Sequence, residues 1–83
     1  MYYVYFLLLN NENIYTGSTN NLKRRIVEHK NKKPLKLIAY EAYLIESDAL
    51  RREKFFKTTE GKRLLRLQLK DCFQKYKVRP IIR

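Results

Sequence analysis

The stretch Tyr2-Tyr3-Val4-Tyr5-Phe6-Leu7-Leu8-Leu9, followed by Asn10-Asn11-Glu12-Asn13 and then by Ile14-Tyr15-Thr16-Gly17, decides the fold. The first run is aromatic and β-branched at its start and apolar on both faces, which suits a buried strand. The Asn-rich cluster supplies a turn, because asparagine accepts left-handed backbone angles. Ile14 to Thr16 reads as a second short strand ended by Gly17. Too few residues separate the two runs for a helical crossover, so they pair as an antiparallel hairpin.

From the hairpin outward the chain alternates cleanly. Ser18, Thr19, Asn20 and Asn21 are N-cap candidates for a helix from about Asn21 to Lys30. Pro34 marks its exit, and Leu35 to Ile45 reads as a third strand. Ser47 is the expected N-cap of a second helix, Asp48 to Lys57, with Asp48 placed at the positive end of the helix dipole. Thr58-Thr59-Glu60-Gly61 breaks it. Leu64, Leu65, Leu67, Leu69, Cys72, Phe73 and Tyr76 then predict one third helix from about Glu60 to Tyr76. The order ββαβαα predicts an α+β domain, a three-stranded antiparallel sheet flanked by helices, over residues 1–76. Residues 77–83 read as a loosely held basic tail.

The chain has 83 residues, room for one small domain that buries only about 60–65% of its unfolded surface. Lys and Arg number 19 against 8 Asp and Glu, a net charge of +11. Such an excess is most easily explained by a polyanionic partner, nucleic acid before an anionic membrane surface. The longest apolar run, Tyr2 to Leu9, is eight residues, against the ~20 a spanning helix needs. It also lacks the flanks of a signal peptide. Cys72 is the only cysteine and His29 the only histidine, which excludes an internal disulfide, a Cys-based zinc site and a His pair. A soluble cytoplasmic protein without a small-molecule cofactor is expected.

Polar residues on apolar faces are the informative ones. On the first helix Leu22 and Ile26 are the core positions, and Arg25 and His29 follow each by three residues, on one stripe. On the second, Glu53 stands three or four residues from Ala49, Leu50 and Phe56, in the middle of their stripe. A carboxylate taken out of water needs a cation, a metal or a cleft. A structural Arg25–Glu53 ion pair is the default reading, and snorkelled side chains an ordinary alternative. Tyr2, Tyr3, Tyr5, Tyr15, Tyr40, Tyr43 and Tyr76 read by default as core or sheet-face residues.

Two short motifs shift that balance. Tyr3-Val4-Tyr5 and, ten residues on, Tyr15-Thr16-Gly17 resemble the paired signature of the GIY-YIG nuclease family. Leu22-Lys23-Arg24-Arg25-Ile26-Val27-Glu28-His29 resembles the family's Arg-x-x-x-His helix. Ser47-Asp48-Ala49-Leu50-Arg51-Arg52-Glu53-Lys54 resembles its metal-binding helix, and Lys57-Thr58-Thr59-Glu60-Gly61-Lys62 its small standalone branch. The resemblance spans about Tyr2 to Leu69.

It implies hydrolysis of DNA phosphodiesters with one divalent metal. Arg25 would contact the scissile phosphate and Glu53 would hold Mg²⁺ or Mn²⁺. Tyr5, Tyr15 and His29 would activate or orient water. Gly17 would end the second strand where a bulkier side chain would crowd the site. The choice of base between Tyr5 and His29 stays open, with Tyr5 ranked first by resemblance only. The segment Lys30 to Pro34 is shorter than the family's usual loop, which predicts a weaker grip on substrate.

Three readings follow. The first is a metal-dependent endonuclease acting through Tyr5, Tyr15, Arg25, His29 and Glu53, with Lys23, Arg24, Lys30, Lys32, Lys33, Arg52 and Lys57 on DNA (or RNA). The second is a binding module that holds nucleic acid without chemistry, through Lys23, Arg24, Lys30, Lys32, Lys33, Arg51, Arg52, Lys54, Lys62, Arg63 and the Arg79/Arg83 tail. The third is a small basic protein docked on a larger partner. A monomer or weak homodimer is expected.

Overall fold

The structure, a computed structural model, describes residues 1–30 and 35–78. Lys32, Lys33, Pro34 and the terminal Arg79 and Arg83 lie outside the described residues. The elements are β1 (Tyr2–Leu9), β2 (Ile14–Thr19), α1 (Leu22–Lys30), β3 (Leu35–Tyr43), α2 (Glu46–Phe56), α3 (Thr59–Gln68) and α4 (Lys70–Tyr76). The sheet is antiparallel with order β2-β1-β3, so the most apolar strand is the central one.

Val4, Tyr5, Phe6 and Leu7 of β1 are all buried, as a strand covered on both faces requires. Alternation sends Val4 and Phe6 to one face, where they form the main core with Ala49, Phe56, Leu65 and Phe73 of α2, α3 and α4. Tyr5 points to the other face, beneath α1. That face is thinly covered. No residue of α1 is buried. Leu22 and Ile26, expected in the core, are only half-buried, and with Tyr3, Leu37 and Tyr40 they line an open groove.

Several boundaries differ from expectation for local reasons. In the hairpin turn Glu12, not an asparagine, takes the left-handed angle (φ 71°), while Asn11 Oδ1 accepts from the Asn13 amide at 3.1 Å. β2 does not end at Gly17 but runs on to Thr19, so Ser18 and Thr19 are strand residues and not helix caps. The cap of α1 is Asn21, whose Oδ1 accepts from the Arg24 amide at 3.0 Å. β3 stops at Tyr43. α2 begins at Glu46, one residue before Ser47, which therefore does not cap it. Its Ncap, Ile45, offers no side-chain bond, and Glu46 and Asp48 in the first turn favour the dipole instead.

Lys57 and Thr58 separate α2 from α3, and Thr58 caps α3, its Oγ1 accepting from the Gly61 amide at 3.1 Å. The single third helix expected from residue 60 onward is two helices, because Leu69 leaves helical geometry at φ −105°, ψ 33°. The break turns Phe73 back into the core, and Val78 packs against the same cluster.

Candidate active site

The site begins at the centre of the sheet. Tyr5, 0% exposed, sits opposite Gly17 in the β1–β2 register. A methyl group on Gly17 would lie 2.5 Å from the Tyr5 hydroxyl oxygen and 2.6 Å from its ring carbon Cζ. Gly17 has no positive φ. The glycine is thus needed for space and not for backbone freedom.

Three rings gather over this gap. The Tyr5 hydroxyl is 3.1 Å from His29 Nε2. The Tyr15 ring lies 5.0 Å from the imidazole and 6.1 Å from Tyr5. Burial pushes the Tyr5 phenol above its ordinary value, the nearby Tyr15 phenol adds to this, and the Arg25 guanidinium pulls partly the other way. Tyr5 is therefore a neutral phenol at neutral pH.

Arg25 lies one helical turn before His29 on the same stripe of α1. Its Nε is 3.2 Å from Glu28 Oε1, close enough for charge pairing. The direction is wrong for a hydrogen bond, and among the described residues this buried N–H has no acceptor. Its side chain is 36% exposed, so the guanidinium combines a buried donor with an open end.

Glu53 stands on the other side of β2. The Ser18 hydroxyl donates to Oε1 at 2.7 Å, and the Lys57 ammonium donates to Oε2 at 2.9 Å. Burial alone would raise this carboxyl, but the bonds from Ser18 and Lys57 and the lysine's charge together hold it below the ordinary carboxylate value. Glu53 is ionised at neutral pH. The expected Arg25–Glu53 ion pair is not formed. Each group has a nearer partner on its own helix, Glu28 three residues on and Lys57 four residues on.

Edge strand β2 thus carries Tyr15 and Gly17 toward the tyrosine–histidine cluster, and Ser18 toward Glu53. At its end a cleft of about 260 Å³ is lined by residues that include Ser18, Thr19, Arg25, Glu46 and Leu50, so that of the five expected site residues Arg25 alone lines it. All five expected site residues flank one strand. Ser18 and the paired state of Lys57 were not foreseen. Ser18 is 35 residues from Glu53, and only the hairpin register reveals the contact.

The basic residues divide. Lys23 and Lys30 are exposed on α1, and Arg24 is exposed beside Glu28 at 3.8 Å. Arg52 stands apart from them: it binds Glu41 of β3 through Nε at 3.0 Å and stacks over Phe56 at 4.5 Å, with Tyr43 donating to the same Glu41. Arg51 pairs with Asp48 and Arg63 with Glu60. No group of three His, Cys, Asp or Glu side chains converges among the described residues, so Glu53 is a lone candidate metal ligand. No described helix is long and apolar enough to cross a membrane.

The three-stranded antiparallel sheet and its helices, in the order ββαβααα, have the architecture of a GIY-YIG-type α+β domain. The family model of the GIY-YIG catalytic domain matches residues 1–66, and the chain belongs to this family. It is 36% identical over 76 residues to a UPF0213 protein of Clostridium perfringens, covering 81% of this chain and 82% of that one. It is 32% identical over 76 residues to a UPF0213 protein of Pediococcus acidilactici, covering 78% of each. With a UPF0213 protein of Limosilactobacillus reuteri it shares 39% identity over 67 residues, covering 68% of this chain and 70% of the relative. No solved structure matches the chain. Family membership points in general to a nuclease with nucleic acid as substrate.

Proposed function

We propose that the protein is a divalent-metal-dependent endonuclease that hydrolyses DNA phosphodiester bonds. The observation that carries this reading is Arg25: its guanidinium is charge-paired with Glu28, yet its buried Nε–H has no hydrogen-bond acceptor among the described residues, and it lies beside a neutral phenol and lines a polar cleft. A phosphate oxygen is the acceptor such a donor suits, because guanidinium geometry matches phosphate and the charge stabilises a phosphorane-like transition state.

The remaining roles follow from chemistry. The Tyr5 hydroxyl orients the attacking water, and the proton leaves through Tyr5 Oη to His29 Nε2, 3.1 Å away. Linking the two in one relay answers the weakness of each alone: a phenol is a poor base at pH 7, and its bond to imidazole gives the proton a destination. Tyr15 packs against His29 and fixes the ring. Gly17 leaves the space that the Tyr5 hydroxyl occupies beside His29.

Glu53 fits a hard divalent cation. It is ionised, only 19% exposed and held in orientation by Ser18. One carboxylate suits Mg²⁺ or Mn²⁺, which keep several waters and take other oxygens from phosphate. When bound, the ion would neutralise charge on the phosphate. Lys23, Arg24 and Lys30 would hold the flanking backbone, joined by Lys32 and Lys33 from the segment outside the described residues.

The test is cleavage of an end-labelled duplex by wild type and Arg25→Ala in Mg²⁺ or Mn²⁺. Loss of about 10²–10³ in rate is expected, with DNA binding at low salt retained. Equal cutting by the variant would exclude the assigned role.

A further inference from the structure

Lys57 donates to Glu53 Oε2 at 2.9 Å, while Ser18 occupies Oε1. Each carboxylate oxygen therefore already accepts one hydrogen bond, and on Oε2 the donor is itself a cation. The two partners differ in kind. Ser18 is fixed in a strand and is a neutral donor, compatible with a metal on the same carboxylate. Lys57 is a cation at the C-cap of α2, with a side chain 57% exposed on four flexible carbons. We propose that Lys57 is a built-in competitor for the divalent cation: its ammonium occupies the carboxylate oxygen that the metal must take. Metal binding then requires Lys57 to leave. This inference rests on Glu53 being the metal ligand.

The physical basis is simple. A carboxylate at the edge of the tyrosine site carries an uncompensated charge unless a cation balances it, and an i,i+4 lysine provides that balance locally. The pair is exposed on its lysine side, so its hold is weak, and a doubly charged ion can displace it. At rest the Glu53–Lys57 pair is charge-balanced, and releasing Lys57 places a positive charge beside the substrate's phosphates.

The test is Mn²⁺ binding without DNA, followed by the loss of the free-ion electron paramagnetic resonance signal, for wild type, Lys57→Gln, Lys54→Gln and Glu53→Gln. Lys54 is an exposed neighbour that carries the same charge, so its variant controls for long-range electrostatics. Thermal melting of each variant confirms that α2 remains folded. The expected result is Mn²⁺ affinity about two- to five-fold tighter in Lys57→Gln, unchanged in Lys54→Gln and lost in Glu53→Gln. Unchanged or weaker binding by Lys57→Gln, with Glu53→Gln still defective, overturns the competition and leaves the metal assignment standing. Equal tightening in both lysine variants also overturns it. Binding indifferent to Glu53→Gln, or undetectable throughout, removes the assignment of Glu53 and the inference with it.

Discussion

The Tyr5 hydroxyl and His29 Nε2, 3.1 Å apart, join the central strand to the helix above it. If the pair moves one proton, removing either member removes the same step. Tyr5→Phe and His29→Ala should each slow cleavage by roughly 10²–10⁴, and the double variant should be little slower than the worse single one. Single-turnover rates on a labelled duplex measure this. Fully multiplicative losses would mean that the two groups act independently.

The shifted groups give opposite pH signatures. Tyr5 and Tyr43 both have folded values raised above 10.0, first by burial. Their contribution to stability is complete below pH 10 and is lost as pH rises through the raised values. Urea midpoints should fall above pH 10, less steeply in Tyr5→Phe. Glu53 has a folded value lowered from 4.5. Its contribution is complete above that value and disappears as pH falls through the folded one, so wild type and Glu53→Gln should converge in stability below pH 4.5. A gap between them that widens with acid would contradict the arrangement.

The two glycines should separate folding from chemistry. In Gly17→Ala the new methyl meets the outer end of the buried Tyr5 side chain, which must shift and give up its position beside His29. We expect a loss of about 1–3 kcal/mol and a larger loss of activity. In Gly61→Ala the methyl meets the Phe55 carbonyl and the Phe56 backbone, where α2 and α3 touch and nothing can rotate. Its loss should exceed that of Gly17→Ala, with chemistry spared in whatever fraction folds. Denaturant titration beside specific activity distinguishes the two.

The hairpin, the burial of β1 and the Ala49 and Phe56 positions of the stripe carrying Glu53 were legible in the sequence, because each rests on local periodicity and turn chemistry; Leu50, expected on that stripe, is exposed. The break at Leu69 was not. The apolar spacing from Leu64 to Phe73 continues at helical intervals, and only packing of Phe73 into the core requires the bend. Ser47 and Asp48 form a credible helix start by type, yet the strand ends early enough for α2 to begin at Glu46. The site was legible as a set of residues but not as a network. Arg25 and Glu53 looked like natural partners, and the chain offered each a partner one turn away, at Glu28 and Lys57, with less to organise. The link from Ser18 to Glu53 depends on register, which spacing along one strand does not contain.

The most direct test of the central claim is nicking of a supercoiled plasmid at low salt by wild type and Glu53→Ala, purified identically, in Mg²⁺, Mn²⁺ or EDTA. The account predicts metal-dependent nicking by wild type, abolished by EDTA and absent in a folded, DNA-binding Glu53→Ala. Equal nicking by the two proteins, or none by wild type in either metal while it still binds DNA, would contradict it.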